Sequence, residues 1–326
     1  MEIKREKSEK YSIIKTISMI LVVIAHVTRF YTGKGVVQPL NTSSSLNYIT
    51  NFIYGFHMPL FIFISGAVYY FCIYDLGKYK DKKRFIISKF KRLIIPYLIF
   101  GLFYVTPVMI KFHFTNDSIF KYITKGILLC GDSRHLWFLY YLFIYFFIYY
   151  FIFKNTNKLK ILCLLNVLYI VLNLMKISII SNLALYALFF NLGIIFDLYY
   201  ERIKMIFKKN KYIYLAFILL IIAYIFLIQY CSIGILNNIV GLLISLFLIM
   251  IVPLKMNKML NFLSNYSMGI YLFHPMIIYI MFYYFGRYNI SPYVLSIFVF
   301  VVTILISILL TFIVKKAKIN FILGEK

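Results

Sequence analysis

Apolar runs long enough to cross a bilayer follow one another along almost the whole chain. They lie at about 12–31, 47–73, 93–112, 135–153, 160–176, 181–198, 212–230, 235–253, 265–285 and 293–314. A helix needs roughly 20 mostly apolar residues to span about 30 Å of hydrocarbon, so the pattern predicts ten transmembrane helices. The fold expected is an all-α, polytopic integral membrane helix bundle. The fifth run is the shortest, and Asn166 and Asn173 interrupt it. None of the intervening stretches is long enough to bury a core of its own. The expectation is therefore a single membrane domain over 1–326 with no separate extracytoplasmic domain.

Composition agrees with this pattern. Of 326 residues 63% are hydrophobic, only 14% are charged, and the mean hydropathy is +0.87. Soluble domains are near half apolar, which excludes a globular enzyme carrying one anchor. The N-terminal run is too long for a cleavable signal, and GKGVVQPLN after it has no small-residue cleavage pattern. The four cysteines, Cys72, Cys130, Cys163 and Cys231, have neither C-x-x-C nor Cys/His spacing. No metal site and no disulfide scaffold is expected from them.

The net charge of +25 invites a nucleic-acid reading until the cations are placed. With a cytoplasmic N-terminus, 26 of the 35 Lys and Arg fall in inside segments and seven in outside segments; Lys15 and Arg29 lie within the first helix. Each inside segment is basic, from Lys4–Lys10 through Lys78–Arg92 to Lys315–Lys326. This split fits ten helices with both termini in the cytoplasm and makes the charge a matter of topology, with no nucleic-acid partner. The localisation expected is the cell membrane.

The candidate chemistry starts in the first helix. Lys15 and His26 are eleven residues apart, about three turns, so both point the same way with ~16 Å between them along the axis. Ionisable groups at membrane depth are costly and usually face a bundle interior or a wet cavity. The alternative is that Lys15 snorkels to the interface and His26 is a buried polar link between helices. Arg29 reads more simply as a snorkel at the outer interface. In the second helix, FHMPLFIFISG places His57 ~15 Å below the outer surface by the helical rise. Its Pro59 and Ser65-Gly66 either bend the helix or let another backbone approach. In the ninth, SNYSMGIYLFHPMIIYI brings His274 to a similar depth, with Pro275 making local packing decide its orientation. Three histidines at one depth from three helices point to a shared polar cavity. Lys89 and Arg92, three apart in KRFIISKFKRLIIPY, read either as a positive-inside anchor or as an anion site for phosphates. His135 and Trp137, in RHLWFL, read as interfacial groups, and Asp197 as a partner of Arg202 or Lys204.

These residues resemble the membrane acyltransferase-3 family, which includes O-acetyltransferases of bacterial surface polysaccharides and peptidoglycan. The family's first helix typically carries Arg, ten residues, then His; here the pair is Lys15 and His26. Its F-x-x-P-L-F-F-x-x-SG pattern is similar to Phe56-His57-Met58-Pro59-Leu60-Phe61 through Ser65-Gly66. Its R-x-x-R-x-x-x-P stretch is similar to Lys89, Arg92 and Pro96. The HLWFL start and the S-x-x-I-Y-L-x-H run match His135–Leu139 and Ser267–His274. The matches run in the family's order from 15 to 275. The departures are Lys for Arg at 15 and 89, which keep the charge and lose the bidentate fork.

The resemblance implies acetyl-CoA as cytoplasmic donor and a sugar hydroxyl as acceptor, on a lipid-linked or exported surface glycan, with glycan-assembly proteins as possible partners. Members with a fused esterase-like domain continue well past the last helix, whereas this sequence stops at Lys326; transfer is then expected to finish in the membrane domain or on a separate protein. Acyl transfer to a hydroxyl needs a base, and among deep residues only a neutral His titrates in the right range. His26 is the expected base, since a donor entering beside Lys15 would extend its acyl end toward it. Lys15, Lys89 and Arg92 are the candidates for the CoA phosphates; His57, His274, Arg29 and Ser65 are those for the substrate cavity. Ser65 is disfavoured as a nucleophile because no triad is legible. The competing class is a polysaccharide exporter or flippase. The topology has a direct test: a cysteine at Asn41 should label from outside with an impermeant thiol reagent, and one at Asp81 should not, in a cysteine-free background. The reverse labelling pattern inverts the orientation.

Overall fold

Helix follows helix in the computed structural model, which describes residues 2–33, 35–152, 158–174, 178–210, 212–227, 234–252 and 256–325. Fifteen α-helices are described. They are α1 (Glu2–Thr28), α2 (Ser44–Tyr54), α3 (His57–Tyr70), α4 (Lys82–Lys89), α5 (Ile95–Phe100), α6 (Thr106–Lys111), α7 (Ile119–Lys121) and α8 (Trp137–Ile152). There follow α9 (Lys158–Leu174), α10 (Ser178–Leu198), α11 (Tyr200–Lys209), α12 (Tyr212–Leu227), α13 (Gly234–Ile251), α14 (Lys258–Phe285) and α15 (Pro292–Lys316). Wider π-helical turns at Phe90–Ile94 and Gly101–Val105 join α4, α5 and α6 into one apolar rod.

Seven helical stretches among the described residues are long and apolar enough to cross a membrane. They are Ile3–Thr32, Ser44–Asp75, Lys82–Lys111, Arg134–Ile152, Ile180–Leu198, Lys258–Phe285 and Pro292–Lys316; the bent pair α11–α12 makes an eighth if it is one span. The protein is thus an all-α, multi-pass membrane protein, consistent with a place in the plasma membrane. Seven spans, or eight, thus stand where ten were expected: among the described residues the runs at 160–176, 212–230 and 235–253 fall on shorter helices or on the bent pair, and the ends of these three runs lie outside the described residues. The exposed apolar side chains, among them Phe103, Leu164, Ile297 and Leu305, are what a lipid-facing surface requires.

The chain forms two compact units. The first comprises residues 1–18, 51–82 and 145–261, the second 19–50, 83–144 and 262–326. In the first unit α3 and α10 cross so closely that a Cβ on Gly66 would lie 2.0 Å from the Phe190 carbonyl oxygen, and one on Gly193 would lie 1.9 Å from that of Phe63. Gly66 therefore serves backbone approach. In lipid, helices gain little from apolar burial alone, and small residues at a crossing let van der Waals contact do the work. Tyr69, Phe146 and Tyr149 ring Phe190 around this crossing. Asn191 donates to the Leu162 carbonyl at 2.7 Å and to the Asn166 side chain at 2.5 Å. Asn166, one of the two asparagines that interrupt the fifth apolar run, is thus a polar link between α9 and α10.

One turn beyond Gly193 on α10, Asp197 joins the first unit's ion network. Lys7 pairs with Asp75 at 2.9 Å and with Asp197 at 3.0 Å, and the Tyr11 hydroxyl donates to Asp197. Lys204 pairs with Glu6 at 2.6 Å. The sequence-local expectation for Asp197 is corrected here: its cation comes from α1, some 190 residues away.

In the second unit Phe30 stacks on Phe282 at 4.1 Å, and Tyr31 donates to the Pro292 carbonyl at 3.1 Å. Thr303, Ser307 and Thr311, four apart and fully buried, form a small-residue stripe on α15, with Thr311 against Gly269 of α14. The crossing in the first unit yields a stability prediction. Gly66→Val or Gly193→Val forces α3 and α10 apart; overpacking a core costs ~1–3 kcal/mol, and a rigid backbone neighbour puts these variants at or above that range. Thermal unfolding in detergent reads it, and a melting point unchanged from wild type refutes the close crossing.

Candidate active site

The second unit builds a polar cluster around a proline. Pro275 has no N–H, so the carbonyl one turn back, that of Tyr271, loses its helical donor, and the ring crowds that turn. Yet α14 runs unbroken from Lys258 to Phe285. Side chains supply the donors. His274 Nδ1 lies 2.9 Å from both the Ile270 and Tyr271 carbonyl oxygens. His135 Nε2 lies 3.2 Å from the Leu272 oxygen, and the Tyr104 hydroxyl donates to the Phe273 oxygen at 2.9 Å. Three successive carbonyls before the proline are thus each met by a side chain, and that of Tyr271 is the one whose helical donor the proline removes.

His26 of α1 meets this cluster. Its Nδ1 is 3.1 Å from His274 Nε2, with ring centroids 5.0 Å apart. His274 is fully buried, whereas His26 is partly accessible. His135 packs its ring 5.5 Å from His274, and the Tyr271 hydroxyl donates to the His135 carbonyl at 2.5 Å. Both His135 and its Nδ1 are buried, and that nitrogen has no hydrogen-bond partner. This corrects the interfacial reading of His135. Beside it, Arg134 pairs with Asp132 at 3.2 Å, and the Tyr122 hydroxyl donates to the Asp132 carbonyl at 3.1 Å. Burial pushes the Asp132 carboxyl above its ordinary range despite the opposing charge of Arg134.

The remaining candidates are placed as follows. Lys15 shares the unbroken α1 with His26 and is half-buried. Arg29 begins a 3₁₀ turn, Arg29–Thr32, and is exposed. Lys89 ends α4 with its ammonium 5.4 Å from the Phe85 ring centre, and exposed Arg92 lies in the π-helical turn. That wider turn rotates the two further apart than α-helical spacing would. His57 and Ser65 belong to the first unit. His57 Nδ1 lies 2.9 Å from the Ile53 carbonyl oxygen, and the Ser65 hydroxyl donates to that of Phe61 at 2.8 Å. Both side chains are buried.

A sequence model of the acyltransferase-3 family, described as an acyltransferase domain, matches residues 10–312. The chain belongs to that family. No curated protein and no solved structure matches it. Membership makes the protein a membrane acyltransferase in general terms and points to an acyl-CoA type of donor. The matched stretch takes in every candidate residue named above. Among the described residues no group of three or more His, Cys, Asp and Glu side chains is arranged to hold a metal ion.

Tyr104 and Tyr271 are members of the cluster that sequence reading passes over. Their value can be measured. Tyr271→Phe leaves the buried His135 carbonyl without its donor, for which the usual cost is ~1–3 kcal/mol. Tyr104→Phe removes a half-buried neutral hydrogen bond and should cost ~0.5–1.5 kcal/mol. Detergent-solubilised unfolding compares the two; a larger loss for Tyr104→Phe contradicts the assignment.

Proposed function

We propose that the protein is a membrane O-acyltransferase, its acyltransferase domain spanning 1–326, that moves an acetyl group from cytoplasmic acetyl-CoA to a sugar hydroxyl of a lipid-linked or exported surface glycan. The observation that carries this reading is the contact of His26 with His274 in a chain that belongs to an acyltransferase family. The acceptor hydroxyl gives its proton to the His26 imidazole as its oxygen attacks the thioester carbonyl. The carbon–sulfur bond then breaks, and the CoA sulfur leaves with the proton held by His26. Atoms balance as acetyl-CoA and alcohol giving acetyl ester and CoA.

Lys89 and Arg92 are the proposed phosphate contacts for the donor, together with Lys15 on the helix of His26. Charge-assisted contacts of this kind are among the stronger hydrogen bonds. His274 lines the site beside His26, and Arg29 is proposed for the outer, acceptor end of the same helix. In the first unit His57 and Ser65 keep the role of cavity-lining candidates. A serine acyl-enzyme gains no support, because the Ser65 hydroxyl is spent on the Phe61 carbonyl.

The test is transfer from labelled acetyl-CoA to glycan in membranes, with inserted protein matched. Loss of a general base typically costs ~10²–10⁴-fold in rate. His26→Ala should fall by that much while acetyl-CoA binding is kept. Retention of more than about a tenth of wild-type transfer, less than the loss a base should show, removes the role.

A further inference from the structure

We propose that Pro275 and His274 together fix the tautomer of His26, holding its hydrogen on Nδ1 and its lone pair on Nε2. The chain of reasoning is one of donors and acceptors. A carbonyl oxygen can only accept, so His274 Nδ1, 2.9 Å from two of them, carries a hydrogen. One of those carbonyls, that of Tyr271, is available because Pro275 has no N–H to give it. A neutral imidazole has one N–H, which leaves a lone pair on His274 Nε2. An unpaired charge buried at this position would be expensive, which keeps the His274 ring neutral. The nitrogen 3.1 Å away, His26 Nδ1, must then supply the hydrogen of the bond between them. His26 is left with its lone pair on Nε2.

A histidine's two nitrogens are distinct, and the hydrogen bond made by one decides the state of the other. An imidazole whose tautomer no such bond sets exchanges between two forms, only one of which offers Nε2 as a base. His274 is therefore a positioning residue: it acts through His26. When His26 takes a proton on Nε2, its Nδ1–H bond to His274 persists and the new charge has an acceptor beside it. His135 adds to the same register. By occupying the Leu272 carbonyl it holds the proline turn from the other side, 5.5 Å from the His274 ring. The catalytic consequence rests on the reading of His26 as the base; the tautomer itself does not.

The experiment is ¹⁵N solid-state NMR of the full chain, histidine-labelled and in lipid bilayers, with the His26 signals assigned by their loss in His26→Ala. The expected result is a protonated Nδ1 and a bare Nε2 on His26 in the wild type. In His274→Leu, which has no acceptor, this preference should be lost. His274→Gln offers an amide oxygen to His26 Nδ1–H and should retain it in large part. Acetyl transfer is measured on the same samples. His274→Leu should lower kcat by roughly 10²–10⁴-fold, the scale on which a misoriented catalytic histidine fails, with KM for acetyl-CoA unchanged. His274→Gln should recover a substantial part of kcat. A wild-type His26 with its hydrogen on Nε2 overturns the proposal, as does a tautomer that His274→Leu leaves unchanged. A His274→Gln variant as impaired as His274→Leu at equal insertion does the same. Should His274→Leu not insert, the wild-type spectrum still decides. An Nδ1–H tautomer set by His274 alongside an active His26→Ala would sustain this inference while removing the base assignment.

Discussion

A backbone carbonyl at membrane depth has no water to turn to. That constraint organises the second unit, because Pro275 sits inside a helix that continues for ten residues beyond it. Leaving buried polar groups unpaired in hydrocarbon costs several kcal/mol each. A donor is therefore recruited: His274, from the same helix, meets the Tyr271 carbonyl, while His135 from the turn preceding α8 and Tyr104 from the π-helical turn at Gly101–Val105 bind the next two carbonyls. A cluster of histidines assembled to satisfy a helix is also a cluster of bases in an apolar setting. Structural demand and chemical capacity coincide in the same side chains.

The first unit answers a different demand. Its helices α3 and α10 meet through glycines, with each glycine facing a carbonyl of the opposite backbone. Close crossing leaves no room for side-chain substitution, so the geometry there is fixed by absence of atoms. Its charges are handled by pairing. Lys7 is buried, and it is tolerable only because two carboxylates and the Tyr200 ring lie against or near it. Replacing one carboxylate would leave the other to compensate, whereas removing Lys7 would take this cation from both.

The helical, multi-pass character was legible because apolar runs of this length have few alternatives. The pairing of His26 with His274 was anticipated only as a shared depth; rise per residue gives depth but not which faces meet. A helix running through Pro275 was legible in the apolar run at 265–285, but the side chains of residues 104 and 135 that meet its carbonyls were not, since they come from other elements. His135 was misjudged because counting from the start of an apolar run puts its first residues at the surface. Here the 3₁₀ turn Arg134–Leu136 carries the side chain inward to a carbonyl of α14. Asp197 failed in the same way: the nearest cations in sequence, Arg202 and Lys204, lost to one on another helix. Ion pairs across a fold have no local signature.

The scarcity of carboxylates bears on the chemistry as much as on the fold. A serine nucleophile needs a base and a group to orient that base, and the orienting group is commonly an aspartate. In the second unit Asp132 is engaged by Arg134, and in the first Asp75 and Asp197 are engaged by Lys7. Each lies with a cation rather than with one of the deep histidines. A backbone carbonyl freed by a proline can do the orienting instead, since it accepts a hydrogen from an imidazole as a carboxylate does, though without the charge. Such an arrangement adds no buried anion and is compatible with a hydrocarbon surround. Under the proposed function it favours a mechanism in which the acceptor hydroxyl attacks the thioester directly, because a neutral relay stabilises a transient imidazolium less than a carboxylate would. Direct transfer calls on that imidazolium once per turnover, whereas an acyl-enzyme route would form it twice.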